Sequence, residues 1–297
     1  MVSAGIVGAK ATGLGVWRTV RERTFVIACM FATLFALFAL VVLFYGIVRD
    51  GWGALSWDFI TNFPSRRAAK AGIYSALVGT LWLMGLTTVV TVPLGVGAAV
   101  YLEEFAPKNR LTAFIQLNIS NLAGVPSIVY GLLGLTIFVR GLQLERSLAA
   151  GALTLSLLIL PVVITAAQEA LRAVPRAYRE ASLAIGATTW ETVRDHVLPQ
   201  AVPSIITGII LGLSRAIGET APLITIGAFA FVTFLPSGPM DKFTALPIQI
   251  FDWASRPQAA FHELAAGGIL VLMAVLLLFN SLAIGLRLYA ERKIIRL

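Results

Sequence analysis

An all-α polytopic membrane protein with six transmembrane helices is the fold class this sequence predicts, on three observations. Charged residues make up only 13% of the chain and hydrophobic ones 58%, whereas a soluble domain carries about 25% charged residues. Mean hydropathy is +0.86. Six apolar stretches, at 25–48, 73–102, 111–139, 148–168, 201–235 and 264–289, each reach the roughly 20 residues that a bilayer core demands. Lipid offers no partner to a free backbone group, so such stretches must be helices; a barrel would show short alternating strands instead.

The first stretch follows a basic segment, 1–24, that contains Lys10, Arg18, Arg21 and Arg23. Its 24 apolar residues exceed the region of about 7–15 in a cleavable signal peptide, so a retained first span at 25–48 is expected. An external loop over 49–71, a core over 72–290 with five spans, and a tail over 291–297 complete the expected organisation. The third and fifth stretches are long and interrupted. Lys and Arg gather in the connections, which makes the net charge of +8 a topology signal rather than a nucleic-acid signal. With the N-terminus inside, the inner segments hold 4, 2, 4 and 4 basic residues and the outer ones 4, 2 and 2, fourteen against eight. That bias places both termini in the cytoplasm. Cys29 has no partner for an intrachain disulfide. No phosphate-binding loop of the G-x-x-x-x-G-K-[ST] type occurs, so ATP is not bound by that route.

The connection at 169–199 is amphipathic rather than merely polar. Residues 180–185 suit a short helix ended by Gly186, a natural left-handed stop. Thr188 and Glu191 have the spacing of a capping box. They would start a second helix with Trp190, Val193 and Val197 on one face, ended by Leu198 and Pro199. Such an element has a stripe to bury and nothing in its own loop to bury it against. Its pattern fits either a helix resting on lipid headgroups or a docking site for a soluble partner.

Arg215 and Glu219 lie within the fifth apolar stretch, where each costs roughly 2.5–3.5 kcal/mol on insertion scales. Four residues apart, they share one helix face. Cation before anion is the less favoured order for helix stability. Gly208, Gly212 and Ala216 form a neighbouring stripe of small residues suited to close helix contact. The pair is either structural or a forked donor for a small oxyanion, with Glu219 holding Arg215 in place. Ser214 and Thr220 flank it, and Pro222 adds a kink. Glu103 and Glu104 read as a solvated helix end, His196 and His262 as surface residues. Trp52, Trp57, Trp190 and Trp253, all outside the spans, suit the headgroup zone. No clustered His, Cys or carboxylate set suggests an enzyme.

Residues 180–186, Glu-Ala-Ser-Leu-Ala-Ile-Gly, are followed after nine residues by His-Val-Leu-Pro at 196–199. This run resembles the "EAA" loop of ABC importer permeases, whose coupling helices sit in a cleft of an ATPase subunit. His196, where the family usually has an aliphatic residue, and Ser182, in place of a second Ala, are departures. The string at 214–223, Ser-Arg-Ala-Ile-Gly-Glu-Thr-Ala-Pro-Leu, resembles the signature of the family's phosphate permeases. Segments 72–81, 93–97 and 123–131 resemble the same core, the last being its broken third span, and the resemblance covers roughly residues 70–290. Pro126 and two glycines loosen that span, either for function or as a packing kink.

The resemblance implies a type I ABC importer permease (MetI-like) fold in the bacterial cytoplasmic membrane. It implies ATPase coupling through Glu180, Ala181, Ser182, Gly186, Leu198 and Pro199, and a substrate pathway along Ser214, Arg215, Glu219 and Thr220. A second permease subunit, an ATPase dimer and an extracytoplasmic phosphate-binding protein would be its partners. ATP and Mg would be held by the ATPase, with no cofactor on this chain. Phosphate is the implied substrate; sulfate, molybdate or tungstate is the alternative, and an ATPase-independent secondary transporter a further one.

Overall fold

A computed structural model describes residues 13–294. The chain forms two units, residues 1–49 and 50–297. In the first, helix α1 begins at Gly13 and runs to Gly51 at the start of the second. Its apolar side chains, Phe31, Leu34 and Phe38 among them, are exposed, as a lipid-facing helix requires. The expected first span lies inside it. Expectations for 1–12 and 295–297 fall outside the described residues.

The second unit is a helical bundle. Its elements are α2 (Trp57–Thr61), α3 (Tyr74–Val100), α4 (Arg110–Leu122), α5 (Ser127–Gly134) and α6 (Leu148–Arg172). They are followed by α7 (Arg176–Ala184), α8 (Thr189–Thr192), α9 (Leu198–Ile217), α10 (Ala221–Thr225), α11 (Leu246–Ala254) and α12 (Ala259–Ile294). Three wider π-helical turns, Tyr101–Phe105, Leu135–Gly141 and Val193–Val197, extend α3 and α5 and join α8 to α9. Among the described residues five helices are long and apolar enough to cross a membrane, or six if the bent pair of α4 and α5 is one span.

Helix α6 is the central post. Ser147 caps its N-terminus by accepting the Ala150 N–H at 3.3 Å, and sixteen of its residues are buried. Small residues let the neighbours approach. A methyl added at Gly95 on α3 would lie 2.8 Å from the Val163 side chain, and one at Gly212 on α9 would lie 3.1 Å from it. The expected stripe of Gly208, Gly212 and Ala216 is buried; its two glycines face Ala166 and Val163 of α6.

Two apolar stretches are not single continuous helices. Pro126 lacks an N–H and disfavours helical backbone at Val125. Accordingly, α4 stops at Leu122, α5 starts at Ser127, and the two are bent by 107°. The expected fifth span ends early: helix runs from Thr189 through the π turn to Ile217, and residues 226–245 are largely irregular. Irregular backbone at membrane depth is tolerated when protein satisfies it. The Ser75 hydroxyl donates to the Val232 carbonyl at 2.7 Å, and Thr80 accepts the Leu246 N–H at 2.8 Å. Pro203 sits inside α9.

Trp253 departs from its expected headgroup position. On α11, which has no counterpart among the sequence stretches, it is 0% exposed and packs on Phe59 with ring centroids 5.9 Å apart. Trp52, Trp57 and Trp190 are exposed.

Candidate functional site

The two helix breaks meet. Gly131 of α5 faces Pro222 and Thr225 of α10 so closely that an added methyl would lie 2.7 Å from Pro222 Cα. The Tyr130 hydroxyl donates to the Leu122 carbonyl at 2.7 Å across the α4–α5 break. Its ring is buried with Ala216 and Ile217 at the end of α9. Pro222 cannot continue a helix through Gly218, because its ring would clash with that carbonyl. The chain therefore leaves α9 at Gly218 and restarts at Ala221.

This geometry moves Arg215 and Glu219 from the middle of a span to the end of a helix. Arg215 lies in the last turn of α9 and Glu219 just beyond it. The guanidinium Nε donates to Glu219 Oε1 at 3.4 Å, with the Arg215 side chain 44% exposed and that of Glu219 17%. One long contact at that exposure contributes at most about 1 kcal/mol. Stability is a poor reason for the pair, and an exposed fork so lightly held is free to exchange partners. Tyr130 lies within electrostatic reach of Arg215.

The flanking hydroxyls go elsewhere. Ser214 donates to Asn280 Oδ1 on α12 at 2.6 Å, so it joins two helices. Thr220 makes only a 3.5 Å contact to the Gly218 carbonyl.

The loop between α6 and α9 has the expected turn and a different second helix. Gly186 has φ +91°, the left-handed region open to glycine. Thr188 and Glu191 form the capping box, with the Thr188 N–H donating to Glu191 Oε2 at 2.8 Å. The helix begun there does not stop at Leu198 and Pro199. It continues into α9, because proline is tolerated in the first turn after the π segment. Val193 and Val197 are buried; Trp190 is more exposed but lines one apolar groove with Val193 and lies 6.2 Å from the Phe105 ring.

Glu180, Ala181 and Gly186 are exposed, and Leu198 and Pro199 are half-buried. Ser182 is buried, its hydroxyl 3.0 Å from that of Thr192; it staples α7 to α8 rather than facing outward. Beside it, Ala177, Tyr178, Ala181, Ile185 and His196 line an open apolar groove of about 490 Å³. Ile185 is 84% exposed. His196 thus belongs to this groove. Sequence reasoning also passed over Glu103 and Glu104, which are not a solvated boundary. They pair with Arg172 at 2.9 Å and Arg179 at 2.6 Å. The adjacent carboxylates were their only signal. No group of three or more metal-ligating side chains occurs among the described residues.

Bent apolar helices with an amphipathic loop displayed at one end suit a membrane permease. The family described as "Binding-protein-dependent transport system inner membrane component" matches residues 91–296, and the chain belongs to this family of ABC importer permeases. A relative in Mycobacterium tuberculosis, "Phosphate transport system permease protein PstA 1", is 36% identical, covering 87% of this chain and 86% of its own. "Probable ABC transporter permease protein YqgI" of Bacillus subtilis is 37% identical over 82% of this chain and 87% of its own. The PstA protein of Yersinia pestis is 33% identical over 90% of each. Among solved structures, a bacterial alginate ABC transporter has a TM-score of 0.61 at 16% identity, covering 90% of this chain and 95% of its own. The MetNI methionine ABC transporter has a TM-score of 0.54 at 17%, covering 74% and 94%. These structural likenesses show the MetI-like fold. The chain is a transport subunit of the membrane, and its family works with ATPase and binding-protein subunits.

Proposed function

We propose that this chain is the PstA-like permease subunit of an importer that moves inorganic phosphate across the bacterial cytoplasmic membrane. The observation that carries the reading is the Arg215 fork, half-exposed and held by one 3.4 Å contact where two helix breaks meet. An arriving phosphate offers several acceptor oxygens to a forked donor, against the single contact Glu219 makes. Glu219 would hold the guanidinium between passages and take it back as the anion leaves. Binding must be weak for conduction, and a half-exposed site meets that need better than a closed cage. The PstA-named relatives support phosphate as the anion.

In this reading a PstC-like second permease supplies the other half of the pathway, and a PstS-like binding protein delivers phosphate outside. A PstB-like ATPase dimer holds ATP and Mg. The ATPase docks on the apolar groove beside Glu180 and Ala181, with Gly186 setting the turn. Ser182, Leu198 and Pro199 serve coupling from within, by holding α7, α8 and α9 together. Both termini are cytoplasmic, on the same side as that loop.

The test is uptake of radiolabelled phosphate in a strain lacking this gene, complemented by the natural protein or by Arg215→Gln. Rescue by the natural protein alone is expected. Rescue by both would reduce the pair to a structural role. No rescue, with the complex assembled, would turn the substrate to sulfate, molybdate or tungstate, which competition with each anion would then identify.

A further inference from the structure

Arg179 is the most heavily committed side chain at the loop end of the bundle. Its Nε donates to Glu104 Oε2 at 3.2 Å and its Nη2 to Glu104 Oε1 at 2.6 Å. Nη1 donates to the Val174 carbonyl and Nη2 to the Leu171 carbonyl, both at 2.9 Å. One planar fork thus grips a carboxylate in two places, which is the strong geometry for such a pair. It also donates to two carbonyls at the end of α6, of which that of Leu171 already accepts the Val174 N–H at 3.2 Å.

The partners belong to three different elements. Arg179 is in the middle of α7, Leu171 in the last turn of α6 with Val174 just beyond, and Glu104 in the π turn that ends α3. The Glu104 side chain is only 9% exposed. Beside this fork, Arg172 of α6 donates to Glu103 Oε2 at 2.9 Å and to Glu169 Oε1 at 3.1 Å. Widened π turns recur at functional sites, and this one delivers two adjacent carboxylates to the loop.

Along the chain, α7 has only weak attachments. Pro175 separates it from α6, and the left-handed Gly186 separates it from α8. A push on its exposed face would be absorbed by those joints unless a side-chain link carried it into the bundle. A partly buried, bidentate ion pair is such a link, since separating it would leave an unpaired carboxylate in a nearly closed site.

We propose that the Arg179–Glu104 fork is the strut that carries motion of α7 into α3, with Arg172–Glu103 steadying it, and that Glu104 and Arg179 are positioning residues for transport. The proposal rests on the reading that α7 docks an ATPase. It makes α3, and not only the covalently continuous α9, a driven element of the permease.

The test uses the whole complex in lipid vesicles, with its own ATPase, second permease and binding protein, carrying Glu104→Gln or Arg179→Lys. Co-purification of the ATPase, basal ATP hydrolysis, stimulation of hydrolysis by the loaded binding protein, and uptake are measured together. Glu104→Gln is expected to keep assembly and basal hydrolysis while stimulation and uptake fall about tenfold, the scale of a lost coupling element. Arg179→Lys, which keeps the charge and loses the fork, should fall between. Normal stimulation and uptake in Glu104→Gln would overturn the proposal. So would a loss of all four measures together, which would make the fork a fold element only. If the natural complex fails to import phosphate, the substrate reading fails by itself, and the strut is decided by the same measures with the oxyanion the natural complex does import.

Discussion

The contact between α5 and α10 sets the geometry around Arg215, and Gly131→Ala tests it. The added methyl would lie 2.7 Å from Pro222 Cα and Thr225 Cβ and 2.8 Å from Thr225 Oγ1. Ordinary carbon contacts are about 3.5–4.0 Å, so the two segments must part by on the order of 1 Å. Pro222 Cα is backbone and cannot rotate away. Overpacking of this kind costs about 1–3 kcal/mol. At about 2–4 °C per kcal/mol for a unit of this size, the melting temperature of the purified complex should fall by about 2–12 °C. Two other glycines calibrate the result within the same fold. At Gly212 the new methyl meets a Val163 side-chain atom at 3.1 Å and Ile159 Cβ at an ordinary 3.9 Å, and at Gly97 it meets nothing within 4 Å. Gly212→Ala should be mildly destabilising. Gly97→Ala should be neutral or stabilising by up to about 1 kcal/mol, the helix preference of alanine. Uptake should follow the same order, lowest in Gly131→Ala, because Tyr130 and the Arg215 helix end move with α5 and α10. A Gly131→Ala protein with the melting temperature and uptake of Gly97→Ala would refute the close approach and the argument built on it.

Two further outcomes are expected. Gly186→Ala forces a side chain into φ +91°, at a cost of about 1–3 kcal/mol; it should weaken co-purification of the ATPase while leaving membrane insertion intact, and unchanged co-purification would count against the turn as a docking element. Asp241, in the loop before α11, is held below the usual carboxylate range, first by the Ser237 hydroxyl and then by the backbone N–H groups of Ser237 and Gly238. Because its pKa is lowered on folding, the anchoring is present above the ordinary aspartate value of about 3.9 and is lost as pH falls through the still lower folded value. Amide exchange at Ser237 and Gly238, read against Ser237→Ala, should show that order of events; protection that persists at low pH would refute it.

Local signals carried far in this chain. The apolar run lengths determined the helical class, because lipid leaves no alternative to internally satisfied backbone. Gly186 and the Thr188–Glu191 capping box determined the turn in the loop, because left-handed backbone and helix caps are satisfied within a few residues. The stripe of Gly208, Gly212 and Ala216 announced a close helix contact, and α6 supplies it. Pro126 marked the third stretch as broken.

Only the tertiary structure decided what depends on residues distant in sequence. Run length alone extended the fifth span to residue 235. The structure ends its helix at Ile217, ahead of Pro222, and the later backbone can stay irregular because it finds partners such as Ser75 and Thr80 on α3. That shift took Arg215 and Glu219 from a span interior to a helix end. Glu103 and Glu104 read as solvated because a carboxylate pair carries no record of a cation 69 or 75 residues away. Trp253 read as interfacial because composition cannot show that Phe59 covers it. Sequence by itself determined that this is a helical membrane protein with an amphipathic loop, since hydropathy, caps and turns act locally. Which charges meet, and where the helices break, waited on the fold, because ion pairs and buried irregular backbone are satisfied only by elements brought together from far along the chain.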